Sequence, residues 1–495
     1  MTHLTRRHFL HGSAATAALL PFASACAPAR ALSATSLPSG DLDGVRMAQL
    51  IANGDITSLE FTNAAIARAE TVNPQINAIA SEIYDQARAQ AAASPEGAFG
   101  GVPTFIKDLK NWKGAPTYYG SRAFEGYMPD ADDKFPANWR DMGVVVLGKS
   151  TTPEMGLISS TEPLVTGPTR NPWDLDRIPG GSSGGAAALT AARVVPFAHA
   201  SDGGGSIRIP AACCGLFGLK PSRGAIIESR TEEGIDLSVN HAVTLTVRDS
   251  AAIFAAEENP DSGLARVGRV MGPSTRRLRI AYAPEPINGA ALDAETRAAI
   301  ERTAELCRGL GHEVIDWSMP VDGKEFTDNF LLLWAAGAYQ FAQDAAAYFG
   351  KPPSEDIVEP WTLGLMQEFA SKADKFEDAV TYLAAFEPLY HSWFENFDVI
   401  LTPTVSTLPP KIGVQSPTGP YDEVRKSVTD FAAFTAPLNV AGAASMSVPV
   451  QWTDGGLPVG SLFSGQRGDD GLLLALAYEL EAAQPWIDRK PGILG

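Results

Sequence analysis

Three short segments hold the side chains whose types could do chemistry. Residues 178–189 read IPGGSSGGAAAL and set Ser182 and Ser183 between two pairs of glycines. The run GVPTFIKDL carries Lys107 at the end of an apolar stretch, and HASDGGGSIRIPAACCGLFGLKP sets Ser206 behind three glycines. A serine hydroxyl needs a base before it can attack an acyl group. A lysine amine can be that base when burial disfavours its ammonium form. Successive glycines let backbone N–H groups converge on one point, as a developing oxyanion requires. Taken singly, each segment also has an ordinary reading: Lys107 as a surface lysine at a strand end, DGGGS as a turn.

Other uses of the glycine-serine stretch fit less well. A linker would join segments able to stand apart, yet an Ala/Leu run of buried type follows within a few residues. A phosphate-binding loop needs Gly-Lys-Ser/Thr after its glycines, and no lysine follows until Lys220. Gly180-x-Ser182-x-Gly184 matches the nucleophile elbow of α/β-hydrolases in form, but that fold needs a late histidine and none follows His391. His199, His241, His312 and His391 make no His-x-x-His pair, so a zinc hydrolase lacks its ligands. No lysine has a serine three positions before it, so a lysine base must come from a distant segment.

The elements that would position these groups alternate along the chain. Residues 41–80 read as helical, with a capping box at Thr57 and Glu60. GVPTFIKDL and GVVVLGKST read as strands, and Thr152–Pro153–Glu154 as an N-cap with proline in the first helical position. AAALTAAR reads as a short buried helix, and LRIAYAP, HEVIDWSMP and FDVILTPT as further strands. DAETRAAIERTAELCRGLG reads as a helix with an acidic start, and DDGLLLALAYELEAA as a closing helix with a good cap. Residues 320–395 are aromatic-rich and helical in pattern, and are expected to pack over the sheet. Strands alternating with helices predict an α/β layered fold.

The chain has 495 residues, 45% of them hydrophobic and 19% charged, a globular balance. Residues 1–34 differ: Arg6 and Arg7 precede an Ala/Leu stretch and small residues, the pattern of a twin-arginine signal peptide. This predicts export to the periplasm, with a lipoprotein-type site at Cys26 as a variant that would anchor the protein to lipid. No later stretch is long and apolar enough to predict a transmembrane segment. The formal charge of -18 disfavours nucleic acid and anionic membranes and suits a small neutral substrate. Cys213, Cys214 and Cys307 form no metal or disulfide framework and read as small buried hydrophobes.

Taken together, Lys107, Ser182 and Ser206, spaced 75 and 24 residues apart, resemble the amidase signature family. GPTRNPWDLDRIPGGSSGGAAA, NVAGAASMSVPV and GLPVGSLFSGQRGDDGLLLALAYELE extend the resemblance over nearly the whole chain after the leader. In wording the motifs are most similar to the branch holding nylon-oligomer cyclic-dimer hydrolases and amidases of apolar or aryl amides. The resemblance implies one large catalytic domain over residues 41–490, with a central mixed β-sheet covered by helices on both faces. It implies Ser206 as acylated nucleophile, Lys107 as base, Ser182 as a proton relay after a cis Gly181–Ser182 peptide, and no metal or organic cofactor. The N–H groups of Gly203, Gly204, Gly205 and Ser206 would form the oxyanion hole, braced by Ser183, Asp202 and Arg208. Met155 and Cys214, with Trp334, Tyr339 and Phe341, are candidates to line an apolar pocket for an amide substrate. Gly203 departs from the Thr or Ile common in the family, which loosens the expected oxyanion loop. The family also suggests a homodimer. Two rivals share part of this profile: an exported solute-binding protein, and a subunit of the amidotransferase that acts on charged tRNA.

Overall fold

A computed structural model describes residues 38–227 and 235–494. The expected leader, with Arg6, Arg7 and Cys26, lies outside the described residues. Among the described residues eleven strands are formed: β1 Ile79–Glu82, β2 Pro103–Lys107, β3 Val145–Ser150, β4 Phe197–Asp202, β5 Phe217–Lys220, β6 Val239–Thr244, β7 Arg279–Tyr282, β8 Glu313–Asp316, β9 Val399–Pro403, β10 Ser445–Trp452 and β11 Pro458–Ser464. β4 to β11 make one mixed eight-stranded sheet in the order β4-β6-β5-β10-β11-β9-β7-β8. Its first strands pair antiparallel, and β9, β7 and β8 pair parallel. β1, β3 and β2 form a separate three-stranded sheet. This sheet is joined to the edge of the large one through side chains: Thr104 Oγ1 donates to the Phe197 carbonyl, and the Lys107 N–H donates to His199 Nδ1. β2 ends at Lys107 and β4 ends at Asp202, so the junction delivers both residues to one place.

The helices are α1 Gly44–Ala52, α2 Ser58–Ile76, α3 Tyr84–Ala92, α4 Lys134–Asp141, α5 Gly184–Ala191, α6 Arg208–Cys214, α7 Val247–Glu257, α8 Ala294–Gly309, α9 Gly323–Phe349, α10 Pro360–Lys372, α11 Phe376–Ser392, α12 Tyr421–Phe431, α13 Ala436–Val440 and α14 Asp470–Ala483. Together with the large mixed sheet they make the single α/β domain that the sequence predicts. The 320–395 region is helical as expected, as α9, α10 and α11. No described helix is long and apolar enough to cross a membrane.

Local chemistry explains most boundaries. The Thr57 capping box is formed, with the Thr57 side chain on the Glu60 N–H and the Glu60 carboxylate on the Thr57 N–H. The expected helix over 41–80 is broken into α1 and α2 and then gives way to β1. Thr152–Pro153–Glu154 starts no α-helix; a single 3-10 turn, Glu154–Gly156, follows, and Met155 sits at φ 53. The closing helix lacks the expected cap, because the Asp469 carboxylate takes the Gln466 N–H instead of a donor of α14.

α5 is buried along its whole length between the small sheet, the large sheet and α6. Only small side chains fit there. A Cβ on Gly185 would stand 2.7 Å from the Ala78 carbonyl oxygen and closer still to Thr151. We expect Gly185→Ala to lower unfolding free energy by about 1–3 kcal/mol through overpacking. Urea unfolding followed by circular dichroism would measure this, and unchanged stability would show that the Thr151 segment can yield.

Candidate active site

The Lys107 side chain is fully buried, yet among the described residues no carboxylate bonds to it. Its Nζ donates to Ser182 Oγ at 2.7 Å, to Ser201 Oγ at 3.1 Å and to the Ser201 carbonyl at 3.4 Å. Burial lowers its pKa from the usual lysine range to about 7, against an opposing pull from Asp202 and with a smaller push from Lys110. Lys149 and Lys220 are equally buried, and their environments separate them from Lys107. Lys149 pairs with Asp108 at 3.1 Å. Lys220 donates to the Pro221 carbonyl, and it does not reach the cavity that Ser182 and Ser206 share. Of the three, only Lys107 is bonded to a serine that lines a cavity.

Ser182 follows the cis peptide Gly181–Ser182 expected from the resemblance. Gly181 must be glycine for space: a Cβ there would lie 2.6 Å from the Ser160 carbonyl oxygen and 2.8 Å from the Ser159 carbonyl carbon. Ser183 accepts the Ser201 N–H at 3.3 Å and donates to the Ser201 carbonyl at 3.3 Å, so it ties the GGSSGG segment to β4. Ser182 and Ser206 line the same cavity of about 650 Å3.

The glycine loop is held from below by one carboxylate. Asp202 and Arg208, both fully buried, form a bidentate pair at 2.8 Å through Nε and Nη2. Asp202 also accepts the Gly205 N–H at 2.7 Å and the Ile207 N–H at 3.1 Å. Its carboxyl is held far below the usual range, Arg208 overcoming the cost of burial. The Gly205 N–H is therefore committed to Asp202 and withdrawn from the expected oxyanion set. Among the described residues, no hydrogen bond takes the N–H of Gly203, Gly204 or Ser206.

Sequence reasoning missed Ser201, Thr435 and Asn439. Ser201 is the second hydroxyl on Lys107. Asn439 donates to the Asp202 carbonyl and carboxylate and accepts from Arg208. Thr435 Oγ1 donates to the Gly204 carbonyl. Ser201 stands directly before Asp202 in the chain, a signal that was available; Thr435 and Asn439 arrive from more than two hundred residues away.

Of the expected pocket residues, Met155, Trp334 and Tyr339 line the cavity. Phe341, two residues on from Tyr339, lines a different cleft. Cys214 lines neither; it is fully buried with its Sγ against the Pro179 carbonyl. It closes α6, about 9 Å of helix rise beyond Arg208, and so points into the core. The bare Gly203 faces the Trp334 ring, which would lie 3.4 Å from a Cβ at that position, an ordinary contact. The Trp334 and Trp361 indoles both donate to the Leu157 carbonyl, pinning the α9 and α10 helices to the cavity wall. Among the described residues, no cluster of three or more His, Cys, Asp or Glu side chains could hold a metal ion.

Replacing Arg208 by methionine would strand the buried Asp202 charge. We expect a loss of about 3–5 kcal/mol in unfolding free energy, read by urea denaturation. A loss below about 1 kcal/mol, the range of an exposed pair, would mean that solvent reaches the pair.

Known proteins resemble this chain over most of its length. The profile of the Amidase family matches residues 60–474. The putative amidase AmiC of Mycobacterium tuberculosis is 39% identical over 453 residues, covering 90% of this chain and 95% of that protein. The 6-aminohexanoate-cyclic-dimer hydrolase of Paenarthrobacter ureafaciens is 33% identical over 483 residues, covering 91% and 97%. A solved structure of 6-aminohexanoate cyclic dimer hydrolase complexed with substrate superposes with a TM-score of 0.85 at 30% identity, covering 92% of this chain and 100% of that one. The family match spans both serine segments and Lys107, and the chain belongs to the amidase signature family of hydrolases acting on amides.

Proposed function

We propose that the chain hydrolyses a neutral, largely apolar carboxylic amide, aryl or cyclic, through an acyl-enzyme on Ser206. The observation that carries this reading is the 2.7 Å contact between a dry, depressed-pKa Lys107 and Ser182, on a cavity wall that also presents Ser206. Neutral Lys107 accepts the Ser182 proton while Ser182 Oγ takes the proton of Ser206. Ser206 Oγ bonds to the carbonyl carbon, and the carbonyl oxygen becomes an oxyanion facing the N–H groups of Gly203, Gly204 and Ser206. As the C–N bond breaks, Ser182 gives its proton to the leaving nitrogen and is reprotonated by the Lys107 ammonium. Water then repeats the sequence on the ester, which frees the acid and restores Ser206.

The substrate class rests on the cavity. Its walls include Met155, Leu157, Trp334, Tyr339, Phe369 and Phe376, with Asp236 as the one charged side chain among the described lining residues. Such a wall accepts apolar bulk and disfavours a carboxylate. The related hydrolase named for the 6-aminohexanoate cyclic dimer supports a cyclic amide as one form of this class. Export by the twin-arginine route belongs to the proposal on the strength of the leader sequence, and a homodimer on the family resemblance. Export would also separate this chain from the amidotransferase role, which is exercised in the cytoplasm.

The test is a panel of primary amides, anilides, cyclic lactam dimers, carbamates and esters assayed with the wild type, Ser206→Ala and Lys107→Ala. Ser206→Ala should lower turnover at least about 10³-fold and abolish labelling by a fluorophosphonate, located by mass spectrometry. Labelling that survives in Ser206→Ala, or turnover unaffected in Lys107→Ala, would overturn the mechanism. Tight binding of one panel member without turnover by the wild type would favour the solute-binding rival.

The pH dependence has a fixed sign. The base form of Lys107 is its deprotonated form, so kcat/KM should be flat above the lysine pKa and fall tenfold per pH unit below it. The midpoint should lie near pH 7, where burial has brought Lys107. A rate profile still rising through pH 9 would mean that Lys107 keeps its ordinary basicity.

A further inference from the structure

α9 serves two cavities on neighbouring faces. Tyr339 and Gln340 line the catalytic cavity, and Phe341, Asp344 and Tyr348 line a second cleft of about 330 Å3. The other wall of that cleft is Tyr119, Phe124 and Tyr127, from the segment between β2 and α4. The two cavities share no described lining residue, so a ligand in one leaves the other open.

The composition of the cleft is specific. Five of its six described lining residues are aromatic and the sixth is a carboxylate. Several of the rings meet at steep angles: Tyr119 and Phe124 at 61° with centroids 4.9 Å apart, Phe124 and Phe341 at 81°, Tyr127 and Tyr348 at 85°; Tyr119 and Tyr127 meet at 30° and Phe124 and Tyr348 at 33°. All five rings line the one cleft, so each presents part of its surface to the same space. Each face carries the negative part of the ring quadrupole and attracts a cation within about 6 Å of its centroid. Asp344 is exposed and is oriented by the Gln340 amide, which donates to its Oδ1 at 2.9 Å. A core cluster of rings would be sealed from water, yet Tyr348 is 61% exposed.

These features select one ligand chemistry. An apolar ligand would press against the carboxylate without balancing it. A compact primary ammonium would give up strong hydration to faces that return no hydrogen bonds. A quaternary ammonium is weakly hydrated, is coated in methyl groups that pack on rings, and still answers the carboxylate. The negative charge of the whole chain raises the local concentration of such cations. We propose that the cleft formed by Tyr119, Phe124, Tyr127, Phe341, Asp344 and Tyr348 is a binding site for a small quaternary-ammonium ligand, distinct from the catalytic cavity. It is linked to the catalytic wall by two hydrogen bonds: the Tyr119 carbonyl accepts the N–H of Met155, and Asp344 accepts from Gln340, both Met155 and Gln340 lining the catalytic cavity.

Calorimetric titration of the full chain with choline tests the site, with 3,3-dimethylbutan-1-ol as its neutral carbon analogue. Choline should bind saturably, and the alcohol about tenfold more weakly or not at all. Asp344→Asn and Tyr348→Ala alter exposed side chains, so both variants should keep the wild-type melting temperature. Each should weaken choline binding about five- to tenfold. No saturable choline binding, equal binding of the alcohol, or full choline affinity in both variants would each overturn the proposal. Hydrolysis measurements play no part in this outcome, so it stands or falls apart from the catalytic reading.

Discussion

A lysine held without an anionic partner is the constraint on which the rest of this site depends. Taking an ammonium out of water is costly, and a buried lysine ordinarily recovers the cost by pairing, as Lys149 does with Asp108. Lys107 is given hydroxyls and a carbonyl instead. The neutral amine is then the cheaper form, and a neutral amine can accept a proton. The junction of the small sheet with β4 exists in order to keep this arrangement dry: β2 supplies Lys107, β4 supplies Ser201, and the GGSSGG segment closes over them with Ser182.

The nearby Asp202 threatens that neutrality, since a carboxylate close to Lys107 favours the ammonium. Arg208 answers it. The bidentate pair neutralises Asp202 almost where it stands, and Asn439 and three backbone N–H groups share what is left of its acceptor capacity. One ion pair thus does two things. It shapes the glycine loop by holding Gly205 and the start of α6, and it limits the field that reaches Lys107. This also explains why Gly205 is withdrawn while Gly203 lines the cavity and, among the described residues, the Gly203 and Gly204 N–H groups have no partner: the loop is anchored at one end and open at the other.

What the sequence could reveal follows from how local each signal is. The strand carrying Lys107, the capping box at Thr57 and the buried helix α5 are written in residues next to one another, and each formed where its pattern placed it. The grouping of Lys107, Ser182 and Ser206 was legible only through a family resemblance, because nothing in a spacing of 75 residues says that two segments meet. The same limit hid Asn439 and Thr435, whose partners are set by the packing of α13 beneath the loop. The split into two sheets was hidden too, since strand patterning does not encode strand order. Cys214 was misplaced for a different reason. Its type suits either a core or a pocket, and only its position at the far end of α6 decides.

The two tryptophans on the Leu157 carbonyl show how chemistry and selectivity are kept apart. The reacting groups sit on β2, β4 and the glycine loops, all locked by buried hydrogen bonds. The cavity wall that faces them belongs largely to α9, α10 and α11, a layer attached through side chains such as Trp334 and Trp361. Substitution in that layer changes the shape of the cavity without moving Lys107 or Ser182, whose partners lie elsewhere. Gly203 is a point where the layers meet: it faces the Trp334 ring, which a Cβ there would touch at 3.4 Å. A larger residue there would crowd that ring and reshape the cavity next to Ser206. The shape of the cavity at this point therefore depends on a glycine that bonds to neither Lys107 nor Ser182.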